Sequence, residues 1–77
     1  MTGEEMRNQL HAQPFRPFVL RLADGTRIPV HHPDFVAISP SGRIMTVYQP
    51  DDSSNVLDVM LVIGLEFQPN GEQQPAS

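Results

Sequence analysis

The chain has 77 residues, no cysteine and a formal net charge of −4. This length supports one small domain: such a chain buries only about 60% of its unfolded surface, and without cysteine neither a disulfide nor a thiolate-metal site can reinforce it. Lysine is absent and the five cations, Arg7, Arg16, Arg21, Arg27 and Arg43, are scattered along the sequence, whereas nucleic-acid binding ordinarily leaves a clustered basic footprint.

In chain order, Thr2-Gly3-Glu4-Glu5 has the spacing of a capping box, with both carboxylates in the first helical turn where the helix dipole favours them. Met6 and Leu10 then form a narrow apolar stripe, and Pro14 disfavours helical backbone at Gln13. The expectation is a short helix over residues 3–11 that packs one side onto strands. Phe18, Leu20 and Leu22 alternate with Val19, Arg21 and Ala23, the period-two pattern of a half-buried strand; Asp24-Gly25 supplies a turn, and Ile28 and Val30 resume the alternation. A two-residue loop would set Arg27 and Pro29 opposite Leu22 and Leu20. A three-residue loop, Ala23-Asp24-Gly25, instead pairs Leu20 with Ile28 and Phe18 with Val30, with Gly25 in the left-handed position. Burial of one face selects the three-residue form. Pro29, which cannot donate to a ladder, then belongs on an edge or at a bulge.

His31-His32-Pro33-Asp34 interrupts the second strand, which resumes over 35–39; Pro40-Ser41-Gly42 is a turn and 43–48 a third strand. After the polar loop 50–55, the apolar block 56–67 is too long for one strand. It divides into a fourth strand over 56–60, a tight connection at 61–63 and a fifth strand over 64–68, with Gly64 as the natural bend. Residues 69–77 carry no apolar anchor and are expected to form a disordered tail, leaving 1–68 as the single domain.

A short helix followed by five short, strongly bent strands, with Leu22-x-Asp24-Gly25 in the first hairpin, resembles the Sm-like (Hfq-like) small barrels over roughly residues 4–68. The fuller pattern of Phe15-Arg16-Pro17-Phe18, Asp24-Gly25 and His32-Pro33 resembles short uncharacterised bacterial proteins, a likeness that implies no particular activity. The implied fold is mainly β: an amino-terminal helix on a five-stranded antiparallel barrel of the Sm-like or Src-homology-3-like type, the alternative being a flatter antiparallel sheet with the helix on one face. Sm-like RNA binders place basic and Asp-x-x-Asn-like residues in the loops that line a ring pore. Here the corresponding connections read His32-Pro33-Asp34-Phe35 and Asp58-Val59-Met60-Leu61-Val62, so the resemblance carries the fold without those contact residues.

No catalytic motif is legible. His31 and His32 are adjacent, so on a strand they point to opposite faces, and the expected role of His32-Pro33-Asp34 is a strand break in which Asp34 bonds backbone donors. Asp51-Asp52-Ser53-Ser54-Asn55 lacks the register of a calcium loop, and no serine sits in a nucleophile elbow. The expectation is therefore a protein that is not an enzyme and has no cofactor, metal or identifiable small-molecule ligand. The run 59–65 is far shorter than the ~20 residues that span a bilayer, and the acidic, polar start is unlike a cleavable signal, so a cytoplasmic location is expected. A small barrel cannot bury both faces of seven consecutive apolar residues, so part of that run needs cover from the helix or from a second subunit. Self-association is expected, ring closure ahead of an isolated dimer, through Val56, Val59, Leu61 or Leu65. The alternative is an Sm-like nucleic-acid-binding regulator contacting phosphates through Arg21, Arg27 and Arg43, a reading that the net charge disfavours.

Overall fold

Six short strands and one helix build two three-stranded antiparallel sheets in a computed structural model that describes residues 1–68. The expected tail, 69–77, lies outside the described residues. Helix α1 (Gly3–Leu10) starts as the sequence requires: the Thr2 Oγ1 accepts from the Glu5 N–H at 3.1 Å, and the Glu5 carboxylate accepts from the Thr2 N–H at 2.9 Å. Met6 and Leu10 are its buried residues.

Strands β1 (Phe18–Leu22) and β2 (Arg27–Val30) form the hairpin with Leu20 opposite Ile28 and Phe18 opposite Val30. Its three-residue loop is closed by Gly25 N–H to the Leu22 carbonyl and Leu22 N–H to the Thr26 carbonyl, both 2.9 Å, with Gly25 at φ +92°. Strand β6 (Val62–Phe67) lies on the other side of β1, with Leu20 opposite Leu65 and a register shift between Arg21 and Leu22. The second sheet runs β3 (Val36–Ile38), β4 (Ile44–Tyr48), β5 (Ser54–Asp58).

The interruption at His31 to Asp34 is more complete than a bend. A 3₁₀ turn at Pro33–Phe35 separates β2 from β3, and each pairs in a different sheet, so six strands replace the expected five and no closed barrel ladder forms among the described residues. The turn's side-chain acceptor is His32, whose Nδ1 takes the Asp34 N–H at 3.1 Å, and not the Asp34 carboxylate. The apolar block also divides earlier than expected. β5 begins at Ser54, and the connection is a 3₁₀ turn at Val59–Leu61 because Asp58 caps it, its Oδ1 accepting from Met60 N–H at 2.9 Å. Gly64 is therefore inside β6 and not at the bend.

The core is wholly apolar: Met6 and Leu10 from the helix, Phe18, Leu20, Leu22, Ile28, Val30 and Val62 from one sheet, Met45, Val47 and Leu57 from the other, and Val59 from the connecting turn. That turn is tied to both sheets, by Val59 N–H to the Arg43 carbonyl at 2.8 Å and Ala23 N–H to the Leu61 carbonyl at 2.9 Å. The helix start meets the 40–42 turn without a gap. A Cβ on Gly3 would sit 2.6 Å from the Gly42 Cα, so only glycine allows that approach.

Candidate functional site

Two three-stranded sheets have four edge strands, and an edge is a row of backbone donors and acceptors seeking partners. Two of the four are partly shielded from within the chain. On β2, Pro29 has no N–H, and its carbonyl accepts from Gln49 Nε2 at 3.0 Å. Beside β3, the Arg7 side chain of α1 donates to the Ser39 carbonyl at 2.9 Å, and Arg7, Leu10 and His11 share a cleft with Val36 and Ile38.

Among the described residues the other two edges are largely open. Val59 N–H bonding to Arg43 O and Gln49 N–H bonding to Ser53 O fix which β5 residues face β4: Asn55 and Leu57 do, while the amides and carbonyls of Ser54, Val56 and Asp58 point away. By the same alternation, Leu22 N–H on Thr26 O commits Leu20 and Phe18 to β2 and leaves Arg21 and Val19 to bond β6. The backbone groups of Leu65 and Phe67 then point outward. Neither set has a partner among the described residues. At its start the β6 edge is occupied, because the Met1 amino group donates to the Val62 carbonyl at 3.0 Å.

Exposed apolar side chains border these edges. Val56 is 69% exposed, Ile63 60%, Met60 58% and Leu61 52%. Of the four residues expected at an interface, Val56 and Leu61 are thus open to a partner, and Leu65 is half-buried against the core. Val59 is corrected: it is fully buried within its own chain, beneath α1 and between the two sheets, and presents nothing to a second molecule. Met60 and Ile63 were not singled out by the sequence, because seven consecutive apolar residues have no period from which to read inside and outside.

The arginines expected at a nucleic-acid contact are not gathered into one patch. Arg21 and Arg27 face each other across the hairpin and both engage Glu66 on β6, Arg21 Nη1 at 3.6 Å and Arg27 through a direct hydrogen bond. Gly64 lets this happen, since the Arg21 guanidinium lies where a Cβ would be in close contact at 3.3 Å. Arg43 is on the other sheet's side and pairs with Asp58 at 3.1 Å. Each of the three is committed to a carboxylate, a pairing that sequence distance hides.

The remaining polar groups are engaged locally. Asp24 accepts from Thr26 N–H and Asp51 from Ser53 Oγ and N–H, and these bonds hold both carboxyls below the usual aspartate range. Asp58 is lowered by the Met60 N–H and then by Arg43; Glu5 is lowered by its Thr2 bonds. A groove of about 460 Å³ lies between β2 and the 49–55 loop, bordered by Arg27, Pro29, Gln49, Asp51 and Asn55. It is open, and its two charged groups are already bonded to Glu66 and Ser53. Among the described residues no three His, Asp or Glu side chains converge as a metal-binding group, and no helix is long and apolar enough to cross a membrane. Comparisons with protein-family models, with curated proteins and with solved structures find no match.

Proposed function

We propose that this chain is a non-catalytic assembly module acting in the cytoplasm, which joins copies of itself through the open edges of β5 and β6. The observation that carries this reading is the asymmetry of the four edges. Two are partly shielded by Gln49, Pro29 and α1, while among the described residues the other two expose aligned backbone groups beside Val56, Leu61 and Ile63. An open apolar edge is an aggregation hazard unless it is paired. Because the two edges differ, joining them is head-to-tail and closes a ring when the rotation allows.

In this reading the two sheets are halves of one strongly bent small barrel, with β2 and β3 as the two parts of a single broken strand. The neighbour order β6-β1-β2 followed by β3-β4-β5 supports it, as do the two backbone bonds that bind the 59–61 turn to both sheets. The nucleic-acid reading is left with topology alone, since Arg21, Arg27 and Arg43 are each bonded to a carboxylate. Light scattering coupled to size exclusion tests assembly. A mass that is a multiple of 8.6 kDa supports it, and a single 8.6 kDa species at every concentration overturns it. A titration of single-stranded RNA at two salt concentrations tests the other reading, where micromolar binding with a steep salt slope would restore it.

A further inference from the structure

We infer that Arg16 of one copy and Asp52 of the next form an ion pair that fixes the register of the β5–β6 contact. This inference rests on the assembly reading and adds to it the residues that set alignment. Hydrogen bonds between two edges require outward-facing residues to stand opposite each other. In an antiparallel join, Ser54, Val56 and Asp58 therefore meet Leu65 and Phe67 of the neighbour. The alignment with Val56 opposite Leu65 and Ser54 opposite Phe67 uses both outward residues of β6. Sliding β5 toward the start of β6 runs it into the Val62 carbonyl, which the Met1 amino group already fills. Sliding it the other way carries Ser54 past the end of β6 at Phe67.

In the central alignment the 49–53 turn that leads into β5 projects beyond Phe67 toward Gln68 of the neighbour. Arg16 is held at that end of the sheet: its Nη2 donates to the Gln68 carbonyl at 2.9 Å, and its guanidinium carbon lies 4.9 Å from the Phe67 ring centroid. Arg16 has no carboxylate partner among the described residues, unlike Arg21, Arg27 and Arg43. In the approaching turn Asp51 is spent on Ser53. Asp52 stands beside it, exposed, at φ +71°, with no hydrogen bond to its carboxylate among the described residues. A cation at the end of the β6 sheet thus meets an anion leading into β5, neither with an ionic partner among the described residues. Pairing β5 with a second β5 would instead bring each Asp51-Asp52 turn to the Asp58–Arg43 pair of its neighbour, which has no free cation for Asp52.

A double-mutant cycle on the assembled protein tests the pair, using Arg16→Gln, Asp52→Asn and both together; asparagine tolerates the left-handed backbone at position 52. Dissociation is followed by sedimentation at the urea concentration that half-dissociates the wild type. Each single change is expected to raise the dissociation concentration about 2- to 5-fold, the range of a partly exposed ion pair. The double change is expected to raise it no further, and added salt should weaken the wild type but not the double variant. If the wild type assembles and the two effects simply add, or neither change moves the midpoint, the pair is wrong while the assembly stands. A wild type that is monomeric at every concentration overturns both.

Discussion

The edges that close within the chain and the edges that do not are built from different residues, and the contrast shows where this molecule invests its local chemistry. The β2 edge carries Pro29, whose carbonyl accepts from Gln49, and the β3 edge is flanked by a helix fixed by a capping box, whose Arg7 bonds the Ser39 carbonyl. Among the described residues β5 and β6 have no such device beyond the Met1 amino group at the start of β6. They carry Val56 and Ile63 outward, and their outward-facing amides have no partner among the described residues. An edge that must stay single is normally blunted by charge, proline or cover, and among the described residues proline and helix cover lie on one pair of edges.

The covered side breaks most severely at Met6, the fully buried helix residue. Met6→Ala is expected to cost about 2–5 kcal/mol, the range for truncating a buried side chain, and to loosen α1 from β3. Urea unfolding measures the loss, and hydrogen exchange at 36–38 shows whether the edge has opened. A shift below 1 kcal/mol would mean that the helix contributes little to the core. Next comes Gly3→Ala. Alanine is the better helix former by about 1 kcal/mol, yet its methyl would overlap the Gly42 backbone. The expected result is a net loss of about 1–3 kcal/mol, as for other overpacked contacts. A gain in stability would show that the helix and the 40–42 turn do not touch closely in solution.

Parts of this contrast are legible in the sequence. The hairpin register can be read because Leu20, Leu22, Ile28 and Val30 leave one acceptable alignment and Asp24-Gly25 marks the turn. The capping box is legible for the same reason: its partners are three residues apart. What is hidden is nonlocal or aperiodic. Nothing near Arg21 or Arg27 announces Glu66, some 40 residues away. Nothing near Gly3 announces Gly42. In the run from Val56 to Phe67, every residue except Asp58, Gly64 and Glu66 is apolar, so alternation cannot separate buried Val59 from exposed Leu61. One local signal there was readable: Asp58 just before Val59-Met60-Leu61 is a capping residue, and it places the connection two residues earlier than Gly64 suggests.

Acid sharpens the comparison, because the turns around both kinds of edge rely on carboxylates. Glu5, Asp24, Asp51 and Asp58 all have folded-state values below their ordinary ones, through bonds to Thr2, Thr26, Ser53 and Met60. A depressed folded value means that the unfolded chain takes up protons first. The stabilisation is therefore fully present above the ordinary carboxylate range, about pH 5, and is lost as pH falls through and below 4. Thermal unfolding between pH 7 and pH 3 should show a Tm that is flat above pH 5 and drops below it. Asp58→Asn, which keeps a capping group but removes the titrating one, should make that drop shallower. An unchanged acid profile in the variant would take Asp58 out of the account.

The smallest effect on the fold is expected where the assembly reading is most exposed. Val56 projects from the middle of the bare β5 edge and contributes nothing to the core. Val56→Lys should therefore leave the urea midpoint of the single chain within about 0.5 kcal/mol of the wild type, the usual range for a surface change. The same lysine faces the partner's Leu65 if the edges join, where a desolvated ammonium is strongly disfavoured. Mass should then fall to that of one chain while the circular dichroism spectrum stays unchanged. The bordering Ile44 and Tyr48, also exposed but on β4, make the control: Tyr48→Lys, away from the edge backbone, should leave the mass as it was. If both lysines act alike, the contact is a general apolar face and not the edge of β5. If neither acts, β5 does not join copies of this chain.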